Sequence, residues 1–170
     1  MQKIVPFLWF DGKAEEAINL YTSVFKNSKI INITYWAEGS PFPKDQVMHG
    51  TFELDGQRFY AFDAGPQFKF TEAISFYVDC RTQDEIDHFW NKLTADGGQE
   101  SMCGWLKDKF GVSWQIVPPV LGQLLGDKDP AKSGRVMQAM MKMKKIIIAD
   151  LEKAADGKYL KQNKWRRLSQ

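Results

Sequence analysis

Hydrophobic and polar positions along the chain follow two rhythms, and the same order of rhythms occurs twice. A strand-sized apolar block at residues 4–10 leads into Ala14-Glu15-Glu16-Ala17-Ile18, after which Ala17, Leu20, Tyr21, Val24 and Phe25 recur at helical spacing. A second block, 73–79, leads into Gln83-Asp84-Glu85-Ile86, with Ile86, Phe89, Trp90 and Leu93 on one helical stripe. Asp11 and Asp79 stand just upstream of the two helices, where a carboxylate suits the positive end of the helix. Asn27 turns the chain after the first helix, and Gly97-Gly98 after the second. Strand-like segments follow at 29–36, 46–54 and 57–63, and shorter ones near 99–106 and 112–117. Asp55-Gly56 is a two-residue hairpin signal. The predicted order is βαβββ, twice.

Alignment of the copies sets Phe7-Leu8-Trp9-Phe10-Asp11 on Ser75-Phe76-Tyr77-Val78-Asp79 at an offset of 68, which pairs Tyr21 with Phe89 and Phe25 with Leu93. Gly56-Gln57-Arg58-Phe59-Tyr60 falls on Gly111-Val112-Ser113-Trp114-Gln115 at an offset of 55, so the second copy is shorter. The modules span about 3–63 and 72–117 within one domain, 1–117. Beyond Pro118-Pro119 the pattern becomes helical, giving an extension over 118–157. A short helix covers 120–125, and Asp129-Pro130 starts a long one whose Val136, Met140, Met143, Ile147, Leu151 and Ala154 make a single apolar stripe. Such a stripe docks to a body or a subunit. Residues 158–170 show little periodicity and read as a flexible tail.

The 170 residues are 44% hydrophobic and 26% charged, which fits a folded chain and excludes general disorder. No apolar run approaches the ~18 residues of a membrane span. The opening Met1-Gln2-Lys3 shows no secretory pattern, so a cytoplasmic protein with no membrane partner is expected. Cys80 and Cys103 are too few for a disulfide framework and lack metal-ligand spacing. The net charge of +2 conceals a division: residues 1–127 carry 11 basic and 17 acidic side chains, whereas 128–170 carry 12 and 4. A basic arm can serve nucleic acid, an anionic surface or the wet side of a helix. With an acidic body and no recognition motif beside the lysines, nucleic acid is not an expected partner.

The stretches Pro6-Phe7-Leu8-Trp9-Phe10-Asp11-Gly12, Ala14-Glu15-Glu16-Ala17 and Ile74-Ser75-Phe76 carry a family likeness, as do Cys103-Gly104-Trp105-Leu106-Lys107-Asp108 and 111–118. Over roughly residues 3–155 the chain resembles the vicinal-oxygen-chelate (glyoxalase/bleomycin-resistance/dioxygenase) superfamily, and within it the PhnB-like family. The resemblance implies an α+β fold in which two βαβββ modules form a cupped mixed sheet around a ligand cavity, commonly as a homodimer. It also brings a methyltransferase label linked to demethylubiquinone. No glycine-rich strand-to-helix loop is present to seat a nucleotide, and no cofactor is expected.

Strand alternation assigns the inward side chains. In 47–54, Met48, Phe52 and Leu54 pack under the helices, leaving His49, Thr51 and Glu53 on the other face. The same reasoning turns Ser75 and Tyr77, Phe7 and Trp9, and Tyr60 and Gln115 inward, with Trp105 as a lid aromatic or a packed one. The expected lining is therefore Phe7, Trp9, His49, Thr51, Glu53, Tyr60, Ser75, Tyr77, Trp105 and Gln115, although a face that simply meets water shows the same alternation. In metal-using branches of the superfamily, ligands come from the first and last strands of each module. Those positions are Val5, Tyr60, Ala73 and Gln115, with no His or carboxylate among them, so no metal is expected.

His49 reads as a general base or as a hydrogen-bonding wall residue, and Glu53 lies about 13 Å along the same strand. His88 reads as a surface histidine. Two functions stay open. One is a metal-independent binding protein enclosing an aromatic or cationic organic ligand. The other is an isomerase, lyase or dioxygenase with His49 as its base.

Overall fold

The computed structural model describes residues 2–157, so the segment read as a tail, 158–170, lies outside the described residues. Two compact units divide the chain, one ending at Phe70 and the other beginning at Thr71. The first contains β1 (Phe7–Phe10), α1 (Ala14–Val24), β2 (Lys29–Tyr35), β3 (Val47–Leu54) and β4 (Gln57–Asp63), in the sheet order β1-β4-β3-β2. The second contains β5 (Phe76–Asp79), α2 (Gln83–Leu93), β6 (Gln99–Glu100), β7 (Trp105–Lys107) and β8 (Ser113–Val117), in the order β5-β8-β7-β6. In each sheet the first strand runs parallel to the last and the other pairings are antiparallel. This is the expected α+β fold of two βαβββ modules, and each module has a four-stranded mixed sheet of its own.

The core of the first unit follows from its two periodicities. Ala14, Ala17, Ile18, Tyr21 and Val24 form the buried stripe of α1, and Leu8, Phe10, Val47, Phe52, Leu54, Phe59 and Ala61 are the buried apolar members of the strands. Tyr21 stacks on Phe52 with ring centroids 6.4 Å apart. Gly50 leaves room for Ile18 of α1, since a Cβ there would lie 2.6 Å from Ile18 Cδ1 and that side chain would have to move. The β3–β4 turn is the Asp55-Gly56 hairpin, with φ of 47° and 81°, both in the left-handed region such a turn demands.

Three expectations are corrected. In β3 the register slips between Thr34–His49 and Tyr35–Val47, so Val47 is buried and Met48, assigned to the core from alternation, is 41% exposed. A bulge adds a residue without changing the sequence pattern. In α2 the core residues are Ile86, Trp90 and Leu93, matching Ala17, Tyr21 and Val24 one residue away from the offset of 68. Trp90 is thus the counterpart of Tyr21, and Phe89 stands half-buried at the edge of the stripe. Finally, neither Asp11 nor Asp79 caps a helix. Thr82 and Glu85 form a capping box on α2, and Asp63 serves α1 from 49 residues away.

Beyond the second sheet come α3 (Pro119–Leu125), α4 (Pro130–Met140) and α5 (Ile148–Ala155). The single long helix expected from the apolar stripe is two, broken at 141–147, because that segment bonds elsewhere. The carbonyls of Met143 and Lys144 accept from Cys103 N (2.7 Å) and Gly104 N (2.8 Å). The Gln83 side chain donates to Ile146 O and accepts from Ile148 N, and Ile146 is fully buried. Arg135 donates to the carbonyls of Ala154 and Ala155, closing the C-terminal end of α5. Among the described residues, no helix is long and apolar enough to cross a membrane.

Candidate functional site

In the first unit, the strand residues between those packed under α1 project from the opposite face of the sheet. Phe7 stands directly beside Tyr60, and Tyr60 beside Thr51, along one row across β1, β4 and β3. Their rings form a connected set. Phe7 lies 5.7 Å from His49, 5.8 Å from Tyr60 and 4.8 Å from Phe62, centroid to centroid. Trp9 meets Phe62 edge-on at 4.7 Å and Phe68 at 4.9 Å, and its indole N–H donates to Gly65 O at 2.8 Å. Edge-to-face geometry matches the positive rim of one ring to the negative face of the next. Phe7 is nevertheless 53% exposed and Phe68 65% exposed, so this aromatic surface is not closed over within its own unit.

His49 sits inside the set, 5.0 Å from the Tyr60 ring, with Nε2 3.2 Å from Thr51 Oγ1. Glu53 is engaged elsewhere. Arg58 reaches it at 3.1 Å and Lys29 at 3.3 Å, and these two bonds hold its carboxyl below the ordinary carboxylate range. It is an ion-paired group at one end of the face and is not aligned with the imidazole.

In the second unit, Tyr77, Gln115 and Trp105 make the corresponding row across β5, β8 and β7. Gln115 Nε2 donates to Ser75 Oγ at 2.8 Å, which ties the middle of β8 to the residue before β5. Tyr77 is 57% exposed; burial of its remainder, then the nearby Asp79 and Cys80, push its phenol upward. The ten residues expected to line a site thus fall into two groups, six in the first unit and four in the second. Phe68 was missed by the sequence reading. It lies in the loop after β4, where no strand rhythm marks it.

Strand pairing sets Phe7 beside Tyr60 and Tyr77 beside Gln115, none of them a His or carboxylate donor. Among the described residues, no three His, Cys, Asp or Glu side chains gather into a set that could hold a metal ion. The strand-to-helix turns are also filled. Asp63, 2% exposed, accepts from Lys13 N (2.8 Å), Ala14 N (3.0 Å) and Val47 N (3.0 Å). Thr82 and Glu85 occupy the turn before α2. Asp63 takes the N–H groups of Lys13 and Ala14, Glu85 takes those of Arg81 and Thr82, and neither turn is a glycine-rich loop, so these turns do not fit the seat of a nucleoside methyl donor.

Residues 2–117 match the family described as 3-demethylubiquinone-9 3-methyltransferase. The structure is similar to that of a PhnB protein from Bacillus cereus whose description carries the same methyltransferase name. That likeness has 45% identity and a TM-score of 0.65, and covers 69% of this chain and 99% of that one. A Pseudomonas aeruginosa protein shares the fold at 24% identity and a TM-score of 0.59, over 69% of this chain and 98% of that one. No curated protein matches the chain. The family match ends with β8, short of the 155 expected from the sequence, and leaves the helical extension outside it.

Proposed function

Because the chain belongs to the PhnB-like family of the vicinal-oxygen-chelate superfamily, the one described as 3-demethylubiquinone-9 3-methyltransferase, we propose that it binds a small organic ligand, aromatic or cationic, without a metal. The observation that carries this reading is the connected aromatic face of the first sheet, built on Phe7, Trp9, His49, Tyr60, Phe62 and Phe68. A core would bury such rings, yet two of them are more than half exposed. Exposed rings of fixed orientation give a flat ligand stacking surfaces and give a cation several negative π-faces at once. In this reading Ser75, Tyr77, Trp105 and Gln115 form a ligand-facing row of their own in the second unit. The reading includes a homodimer and a cytoplasmic setting.

A second reading has one observation of its own. His49 stands among the rings with Nε2 bonded to Thr51, so a base could act on whatever the rings hold. The family's methyltransferase name supports no step here, since both strand-to-helix turns are occupied by the chain's own acceptors.

Titration with benzyltrimethylammonium, followed by tryptophan fluorescence, tests the binding reading. The wild-type chain is expected to saturate, and Trp9→Ala to weaken binding roughly tenfold, about 1.4 kcal/mol. Equal affinity in the variant would contradict the assignment of the ligand to this face.

A further inference from the structure

One cavity in the second unit has chemistry that nothing above explains. It encloses about 500 Å³ beside the β6–β7 hairpin, and Glu72, Met102, Trp105, Lys107 and Ser113 are among its walls. Ser113 is 2% exposed, and among the described residues its Oγ is buried without a hydrogen-bond partner. A hydroxyl in that state has lost water and gained nothing in exchange, which destabilises the free protein. Such groups persist where another molecule supplies the missing partner.

Strand register sets its neighbours. Ser113 stands opposite Lys107 across β7 and β8, and Trp105 stands opposite Gln115 two residues along, so Trp105, Lys107 and Ser113 project from one face of the sheet. The charge held most firmly there is positive. Lys107 has a side chain 32% exposed, whereas Glu72, its ion-pair partner, is 62% exposed. Glu100, the other carboxylate on the wall, is already engaged by Trp90 Nε1 at 2.9 Å and Lys144 at 3.4 Å.

We propose that this cavity binds a small planar organic anion. Its carboxylate accepts from the Ser113 hydroxyl and the Lys107 ammonium, displacing Glu72, and its ring lies against Trp105 and Met102. The site shares Trp105 with the ligand-facing row of the second unit and no residue with the aromatic face of the first sheet, so its test stands apart from the test of that face.

Benzoate is the probe, added to the full chain carrying ¹³C-methyl methionine. The Met102 methyl signal is expected to shift on titration while that of Met48, in the other unit, stays in place. Glu72→Gln frees Lys107 and is expected to tighten benzoate several-fold; Lys107→Met is expected to weaken it at least tenfold. Ser113→Ala is expected to weaken it about fivefold with a melting temperature no lower than wild type, since the variant loses an unpartnered hydroxyl. The proposal is overturned by a silent Met102 signal, by Ser113→Ala binding as tightly as wild type, or by benzylammonium binding there as tightly as benzoate. A marked drop in the melting temperature of Ser113→Ala would overturn its premise.

Discussion

Asp63 does more for the first unit than any residue the sequence pattern singled out. One buried carboxylate takes backbone donors from the start of α1 and the start of β3, and its own carbonyl accepts from Trp36 Nε1 at 2.9 Å. Nothing in the sequence near Asp63 announces this, because its partners lie up to 50 residues away. The local rule for helix starts pointed to Asp11, which is exposed. Replacing Asp63 by Ala would strand several buried N–H groups, and a loss on the order of 3 kcal/mol is expected in denaturant unfolding. A loss under about 0.5 kcal/mol would refute the hub role.

Cys80 offers a second test at this scale. Burial, then Glu85 and Asp79, push its thiol up to about 12, and its Sγ donates to Val78 O. At pH 8 it should resist iodoacetamide in the folded chain and react once the chain is unfolded. Modification of the native protein at Cys80 would contradict the packing described.

Among the elements, the helices and strands of the two modules were legible because each buries one face, and burial imposes a period on the sequence. The repeat offset was legible only to within a residue. Tyr21 and Trp90 do the same work in the two helices, but Phe89 beside Trp90 gives an equally aromatic match. The break between α4 and α5 was not legible. Residues 141–147 contain no Gly or Pro and continue the apolar step; what breaks them is hydrogen bonding to Cys103, Gly104 and Gln83. Gln83→Ala should therefore release this segment, seen as faster amide exchange at Ile148 with the exchange of β3 unchanged. Equal protection at Ile148 would argue against the clamp.

The same segment should be sensitive to acid. Lys145 and Gln83 hold Asp87 below its ordinary 3.8, and Trp90 and Lys144 hold Glu100 below 4.5. A carboxyl easier to ionise when folded stabilises fully above its unfolded value, and the contribution disappears as pH falls through the folded value. Both groups face solvent, so the effect is small and screened by salt. Protection factors across 143–148 are expected to fall below about pH 4 and to fall less in Lys145→Met. Constant protection down to pH 3 would count against the ion pairs.

At the scale of the whole chain, the near-neutral total charge is the sum of an acidic body and a basic extension, and the structure gives that division a physical use. Lys144 pairs with Glu100 and Lys145 with Asp87, so lysines of the extension meet carboxylates of the second module. Some lysines of the basic arm are therefore docking contacts as well as part of a wet helical side. Which strand residues lie off the core face was legible because alternation separates the two faces of a strand. What alternation could not tell was that Glu53 is held by Arg58 and Lys29, or that Phe68 joins the rings from a loop.

The central claim is that the aromatic face holds a small organic molecule without a metal. Native mass spectrometry of freshly purified full-length chain, with elemental analysis of the same sample, tests it most directly. The account expects a chain that retains an added aromatic or cationic compound, releases it when Phe7 and Trp9 are both replaced by Ala, and contains no stoichiometric metal. Retention that needs a bound divalent metal, or retention unchanged in the double variant, would contradict it.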